Sequence, residues 1–141
     1  MKSQLRLLEV RRELERLISR SGARRATAGE RDQFRRIAAN FEKSAKANDD
    51  IAFMRIDREF NTLQAAATHN EFAIGAMGLM HGLSRRFWYI HYKQAADMPL
   101  TAKLHADIAR AIADGDEERA AKATDKLLDA IEQFTRHTTD M

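Results

Sequence analysis

Apolar residues return every three or four positions through almost the whole chain, the period of helices with one buried face. Leu7, Val10, Leu14 and Leu17 form the first stripe, predicting a helix over about 5–19 with Arg11 beside it and a left-handed exit at Gly22. Thr27 and Glu30 have capping-box spacing and open a second helix, with Phe34, Ile37, Phe41 and Ala45 inward and an end near Asn48. Asp49 or Asp50 caps a third, whose stripe is Phe53, Ile56, Phe60, Leu63 and Ala67. Along that stripe runs a polar seam of Asp57, Asn61 and Gln64.

The stretch over about 72–92 is apolar on more than one side, so it is expected either to be central or to engage a partner molecule. Gly75, Gly78 and Gly82 recur on it at helical spacing, each costing on the order of 1 kcal/mol against alanine unless something packs closely there. Asp97 and Pro99 start a fifth helix carrying Leu104, Ile108 and Ile112, with His105 at the edge of that face. Gly115 ends it, Asp116 caps the last helix, and Ala120, Thr124, Leu127, Ile131 and Phe134 form the final stripe, fading near His137. The pattern predicts an all-α antiparallel bundle of about six helices, and one domain over residues 1–141.

Composition narrows the chemistry. A chain of 141 residues, 44% apolar and 32% charged, can build one hydrophobic core. One proline and six glycines leave too little turn punctuation for a strand-rich fold. The lack of cysteine excludes a disulfide framework, a thiolate metal site and a cysteine nucleophile, and fits a reducing cytoplasm. No export signal and no run of ~20 apolar residues is visible, so a cytoplasmic location away from the membrane is expected. The net charge of +3 includes Arg6, Arg11, Arg12, Arg16, Arg20, Arg24 and Arg25 near the start, but Glu9, Glu13 and Glu15 are interleaved as helical partners. Direct DNA contact by these residues is not expected.

Three stretches together resemble a known family. Residues 7–15 (LLEVRRELE) with 23–27 (ARRAT) are similar to the opening of the FadR C-terminal (FCD) domain of GntR-type bacterial regulators. Asp57-Arg58-Glu59-Phe60-Asn61 resembles that family's Asp-x-x-Phe-His motif, and residues 104–116 (LHADIARAIADGD) its His-x-x-Ile-x-x-Ala-Ile-x-x-Gly-Asp stretch. The resemblance implies a helical bundle around a small-molecule pocket, an organic-acid effector and a homodimer. It also implies a winged helix-turn-helix that reads operator DNA. Nothing before Leu5 forms such a module, so operator DNA would be met only through a domain outside this chain, which is then a fragment or a stand-alone effector domain.

In metal-binding members of the family an aspartate and three histidines hold a divalent ion, and those positions fall here on Asp57, Asn61, His105 and Leu127. An amide oxygen is a weaker ligand for Zn, Ni or Mn than imidazole or carboxylate, and leucine is none. His81 is the candidate substitute. The residues therefore favour a metal-free polar pocket of Asp57, Asn61, Gln64 and His105 without a cofactor, the alternatives being a divalent-metal site on Asp57, His105 and Asn61 or a satisfied Asp–His network tying two helices together. Arg85 and Arg11 are the expected cations for a carboxylate effector, whereas Arg86 reads as solvated and the aromatic run from Phe87 to Tyr92 as core and dimer interface. No activated nucleophile or phosphate-cradling loop accompanies these groups, so an enzyme is not expected. The competing functions are a ligand-free helical dimerisation protein and a metal-dependent enzyme.

Overall fold

The computed structural model describes residues 2–140. Six helices follow one another: α1 (Lys2–Arg25), α2 (Ala28–Ala47), α3 (Asp50–Ala66), α4 (Glu71–Ala95), α5 (Met98–Ala113) and α6 (Glu117–Asp140), with no strand among the described residues. Their limits are set by local chemistry. Thr27 Oγ1 accepts from the Glu30 amide at 3.1 Å while Glu30 Oε1 accepts from the Thr27 amide at 2.8 Å, closing the capping box. Asp49, Asn70, Asp97 and Asp116 each accept a backbone N–H in the first turn of α3, α4, α5 and α6. At the other ends, Asn48 (φ 52°) and Gly115 (φ 71°) take the left-handed conformation that terminates α2 and α5.

The central rod is α5. Eight of its side chains are buried, five of them alanines (Ala102, Ala106, Ala109, Ala111 and Ala113), and these small residues let α2 and α6 pack against it. Around it lie Phe34, Phe41, Phe60, Leu127 and Leu128, all at most 1% exposed. Arg31 ties the helix ends together: its guanidinium donates to the Ile112 carbonyl at 2.8 Å and the Ala23 carbonyl at 3.0 Å, close to where α5 and α1 finish.

Three expectations need correction. The α1 stripe is rotated: Val10 and Leu17 are 54% and 52% exposed, and the core-facing residues are Leu8, Arg11, Glu15 and Ile18. An ion pair between Arg11 and Glu15 neutralises itself in the interior, so periodicity counted over apolar residues alone misplaces the face. Next, α1 does not exit at Gly22 but continues to Arg25, because Gly22 is a contact point. A Cβ there would lie 3.7 Å from Ile112 Cγ2 and 3.8 Å from the Ala67 methyl. The arginine cluster, finally, is matched mainly across the helix interface and not along α1. Arg12 reaches Asp129 at 2.8 Å, Arg16 Asp125 at 3.7 Å, Arg20 Glu118 at 3.5 Å and Arg24 Glu117 at 3.2 Å, aligning α1 with α6.

Helix α4, apolar on more than one side, is among the least covered. Among the described hydrophobic side chains of α4 only Ala73 and Met77 are buried, against Ile18 and Leu14 of α1. Phe72, Ile74, Leu79, Leu83 and Ile90 stay exposed, and no atom lies within 4 Å of where a Cβ would sit on Gly75, Gly78 or Gly82. Of the two readings open for this segment, the central one is excluded.

Candidate functional site

The site starts at His105 on α5. Its ring sits among Phe41, Phe53 and Phe60, with centroids 5.1, 5.7 and 5.5 Å away, so it has one orientation. Nδ1 faces the Thr101 carbonyl at 2.8 Å and Nε2 faces Asp57 Oδ1 at 3.1 Å. A carbonyl only accepts, so Nδ1 carries a proton. Burial acts to raise the Asp57 carboxyl, but the hydrogen bond and charge of His105, with His81 and Arg11 nearby, hold it below the usual aspartate value.

On the opposite wall, Arg11 of α1 donates from Nε to Glu15 at 2.6 Å, both side chains at most 10% exposed. From α4 come His81, Ser84, Arg85 and the aromatic residues that follow. Burial, then the charge of Arg11, brings the His81 pKa down to about 4, against the opposing pull of Glu15 and Asp57. His81 is therefore a neutral imidazole at pH 7. The Ser84 hydroxyl is buried without a hydrogen-bond partner.

These groups enclose a partly open cavity of about 80 Å³. Arg11, Asp57, Asn61, His81, Arg85 and His105 all line it, so the structure brings the six sequence-predicted site residues onto one wall system. Gln64 does not join them; it is 2% exposed within the packed interior, because the α3 seam turns away from the cavity one turn beyond Asn61. Leu127 is a core residue, 1% exposed, and α6 meets the cavity one and two turns later at Ile131 and Thr135.

Sequence reasoning missed Arg58, Ser84, Trp88 and Thr135. Ser84 and Trp88 follow His81 by three and seven residues, so helical spacing from His81 was the available signal. The aromatic run assigned to core and dimer interface contributes Phe87, Trp88 and Tyr89 to this cavity.

The donors present do not fit a transition-metal centre. Among the described residues no group of three or more His, Asp or Glu side chains is placed to hold an ion. Asp57 and His105 pair with one another, Asn61 offers only an amide, and α6 contributes an aliphatic chain and a hydroxyl. The proposed metal set of Asp57, His105 and Asn61 therefore lacks a third strong ligand.

His81 gives the cavity a pH signature. Unfolded, it takes its proton near the ordinary histidine value of 6.5; folded, near 4. Stability is therefore complete above about pH 6.5 and declines as pH falls towards 4, because only the unfolded chain binds the proton in that interval. At 1.36 kcal/mol per pH unit, the loss by pH 4.5 is on the order of 2 kcal/mol after allowance for partial solvation. The contribution of Asp57, whose pKa is depressed, is lost only at lower pH, below the ordinary aspartate value of 3.8. Urea unfolding from pH 7.5 to 4.5 should show this slope, and His81→Phe should flatten it; an equally steep profile in the variant would place the titration elsewhere.

No helix among the described residues is long and apolar enough to cross a membrane. No curated protein matches the chain significantly. The FCD domain model matches residues 6–130, a span that includes all six predicted site residues, the Asp57 motif and the His105 stretch. With a helical bundle, an interior cavity at that motif and a family model over most of its length, the chain belongs to the FCD domain family, typically the effector-binding regulatory domains of GntR-type transcription regulators.

Proposed function

We propose that residues 1–141 are one effector-sensing and dimerising domain of a cytoplasmic GntR-type regulator. It binds a small organic acid in the cavity and controls operator binding by a winged helix-turn-helix outside this chain. The observation that carries this reading is an unbalanced site: Arg58 and Arg85 both line the cavity, and neither has an ion-pair partner among the described residues. A carboxylate supplies the missing charge through paired N–H donors. The orphan Ser84 hydroxyl and the neutral His81 add neutral hydrogen-bonding groups, and His105, Asp57 and Asn61 receive the polar end of the ligand. Arg11, its Nε occupied by Glu15, contributes field and its remaining donors. The site holds no activated nucleophile, which favours sensing over catalysis.

A second copy of the chain is the partner that fits the bare α4 face and the exposed Val10 and Leu17 of α1. Two chains paired there would couple the cavity to dimer geometry, since α4 carries both surfaces.

Thermal unfolding against a panel of small carboxylates tests the sensor reading. A ligand at about 100 times its Kd adds about 2.7 kcal/mol and raises Tm by several degrees. Arg85→Gln, at an exposed position, should retain the fold and lose most of that shift. If no carboxylate moves Tm, a ligand-free dimerisation protein becomes the better description. A shift given by Zn, Ni or Mn and lost on chelation would restore the metal.

A further inference from the structure

The unpaired arginines account for an acid group but not for the rest of the ligand. Five of the chain's ten Phe, Trp and Tyr residues line this one cavity: Phe53, Phe87, Trp88, Tyr89 and Phe134. They are not simply the edge of the core. Phe53 and Phe134 are buried, at 3% and 7% exposed, whereas Phe87 and Trp88 are half-covered and Tyr89 is exposed on consecutive positions of α4. Trp88 lies 4.9 Å from Phe134 at 49° and 6.3 Å from Phe53 at 44°, so these rings pack on one another at tilted angles as one aromatic wall of the cavity.

Aromatic walls prefer a flat π-surface, through offset or edge-to-face contacts that a saturated ring cannot make. The cavity's size limits how large that surface is. A cavity of about 80 Å³ is small and suits a single ring with its substituents better than a larger fused system. Arg85 and Ser84 precede Trp88 by three and four residues on the same helix, so an acid-binding end and an aromatic end lie one helical turn apart. We infer that the effector is a one-ring aromatic carboxylate, its acid group on Arg58 and Arg85 and its ring against the aromatic wall that Phe53, Phe87, Trp88 and Phe134 form. This inference rests on the sensor reading and narrows it.

Trp88 is the chain's only tryptophan and lines this cavity, so a change in its fluorescence is a readout of binding there. Titration of the purified chain with benzoate, cyclohexanecarboxylate, benzyl alcohol and succinate, followed by Trp88 emission and by calorimetry, separates the outcomes. Benzoate is expected to perturb Trp88 and to bind at least tenfold tighter than the other three, and Arg85→Gln to weaken it by tenfold or more. If cyclohexanecarboxylate or succinate binds as tightly as benzoate, the aromatic class is wrong and the acid sensor stands. If none of the four binds while other acids in the thermal panel do, the class is again wrong. If no acid registers by any readout, both proposals fall.

Discussion

Replacing Glu15 by alanine is expected to lower the unfolding free energy by about 3–5 kcal/mol, the usual cost of stranding one member of a buried ion pair. Arg11 and Glu15 are 10% and 4% exposed and 2.6 Å apart, so the mutation leaves a guanidinium in the interior with its nearest counter-charge gone. Asp57 is near enough to feel Arg11 electrostatically but is already committed to His105 at 3.1 Å. Urea denaturation at fixed protein concentration measures the loss. The double variant Arg11→Met, Glu15→Leu should recover most of it, since an apolar pair removes both desolvation penalties. A loss below about 1 kcal/mol for Glu15→Ala would mean that Arg11 finds a new partner or water, and that the pair is not a structural element of the α1 face.

Placing glutamates at Leu79 and Leu83 together is expected to raise the dimer dissociation constant by at least about a thousandfold while leaving the monomer fold intact. Those side chains are 61% and 51% exposed, so the isolated chain loses little by the change. In a dimer paired through α4 the same positions sit at the centre of the buried patch, and each unpaired charge forced there costs on the order of 2 kcal/mol or more, near tenfold per 1.4 kcal/mol. The open space over Gly75, Gly78 and Gly82 supports that placement, because glycines at helical spacing allow a partner backbone to approach closely. Sedimentation velocity on the parent chain and the double variant reads the result, with circular dichroism to verify helicity. A parent chain that stays monomeric at high concentration, or a variant that dimerises as well as the parent, would remove α4 as the interface.

Both experiments concern residues whose role was unequally visible along the chain. The caps at Thr27, Gly115 and Asp116, and Asp49 as one of two candidates, were legible because capping is settled within four or five residues. The stripes of α2, α3, α5 and α6 were legible because one apolar face per helix is what a bundle requires. The α1 stripe was misread, since a buried Arg–Glu pair looks polar to any hydropathy pattern and only its matched burial shows it to be interior. Gly22 was misread for a related reason. A glycine that ends a helix and one that admits a neighbouring isoleucine are the same letter, and only the position of Ile112 separates them.

The six candidate residues of the site were recognisable individually, from a polar seam on α3, a histidine at the edge of α5, and cations beside apolar stripes. That they line a common cavity is a property of how α1, α3, α4 and α5 cross, which no local spacing contains. Ser84, Trp88 and Arg58 entered with the structure for the same reason, and Gln64 and Leu127 left it.

Local order along the chain thus determined the helices, their ends, the all-α class and the family motifs, because those depend on neighbours within a turn or two. The tertiary structure decided which face of α1 is inward, where the arginines find their carboxylates, that α5 and not α4 is the central rod, and which polar groups remain unpaired around one cavity. Those outcomes depend on side chains far apart in sequence meeting in space, where burial, charge matching and fit are set jointly by several helices.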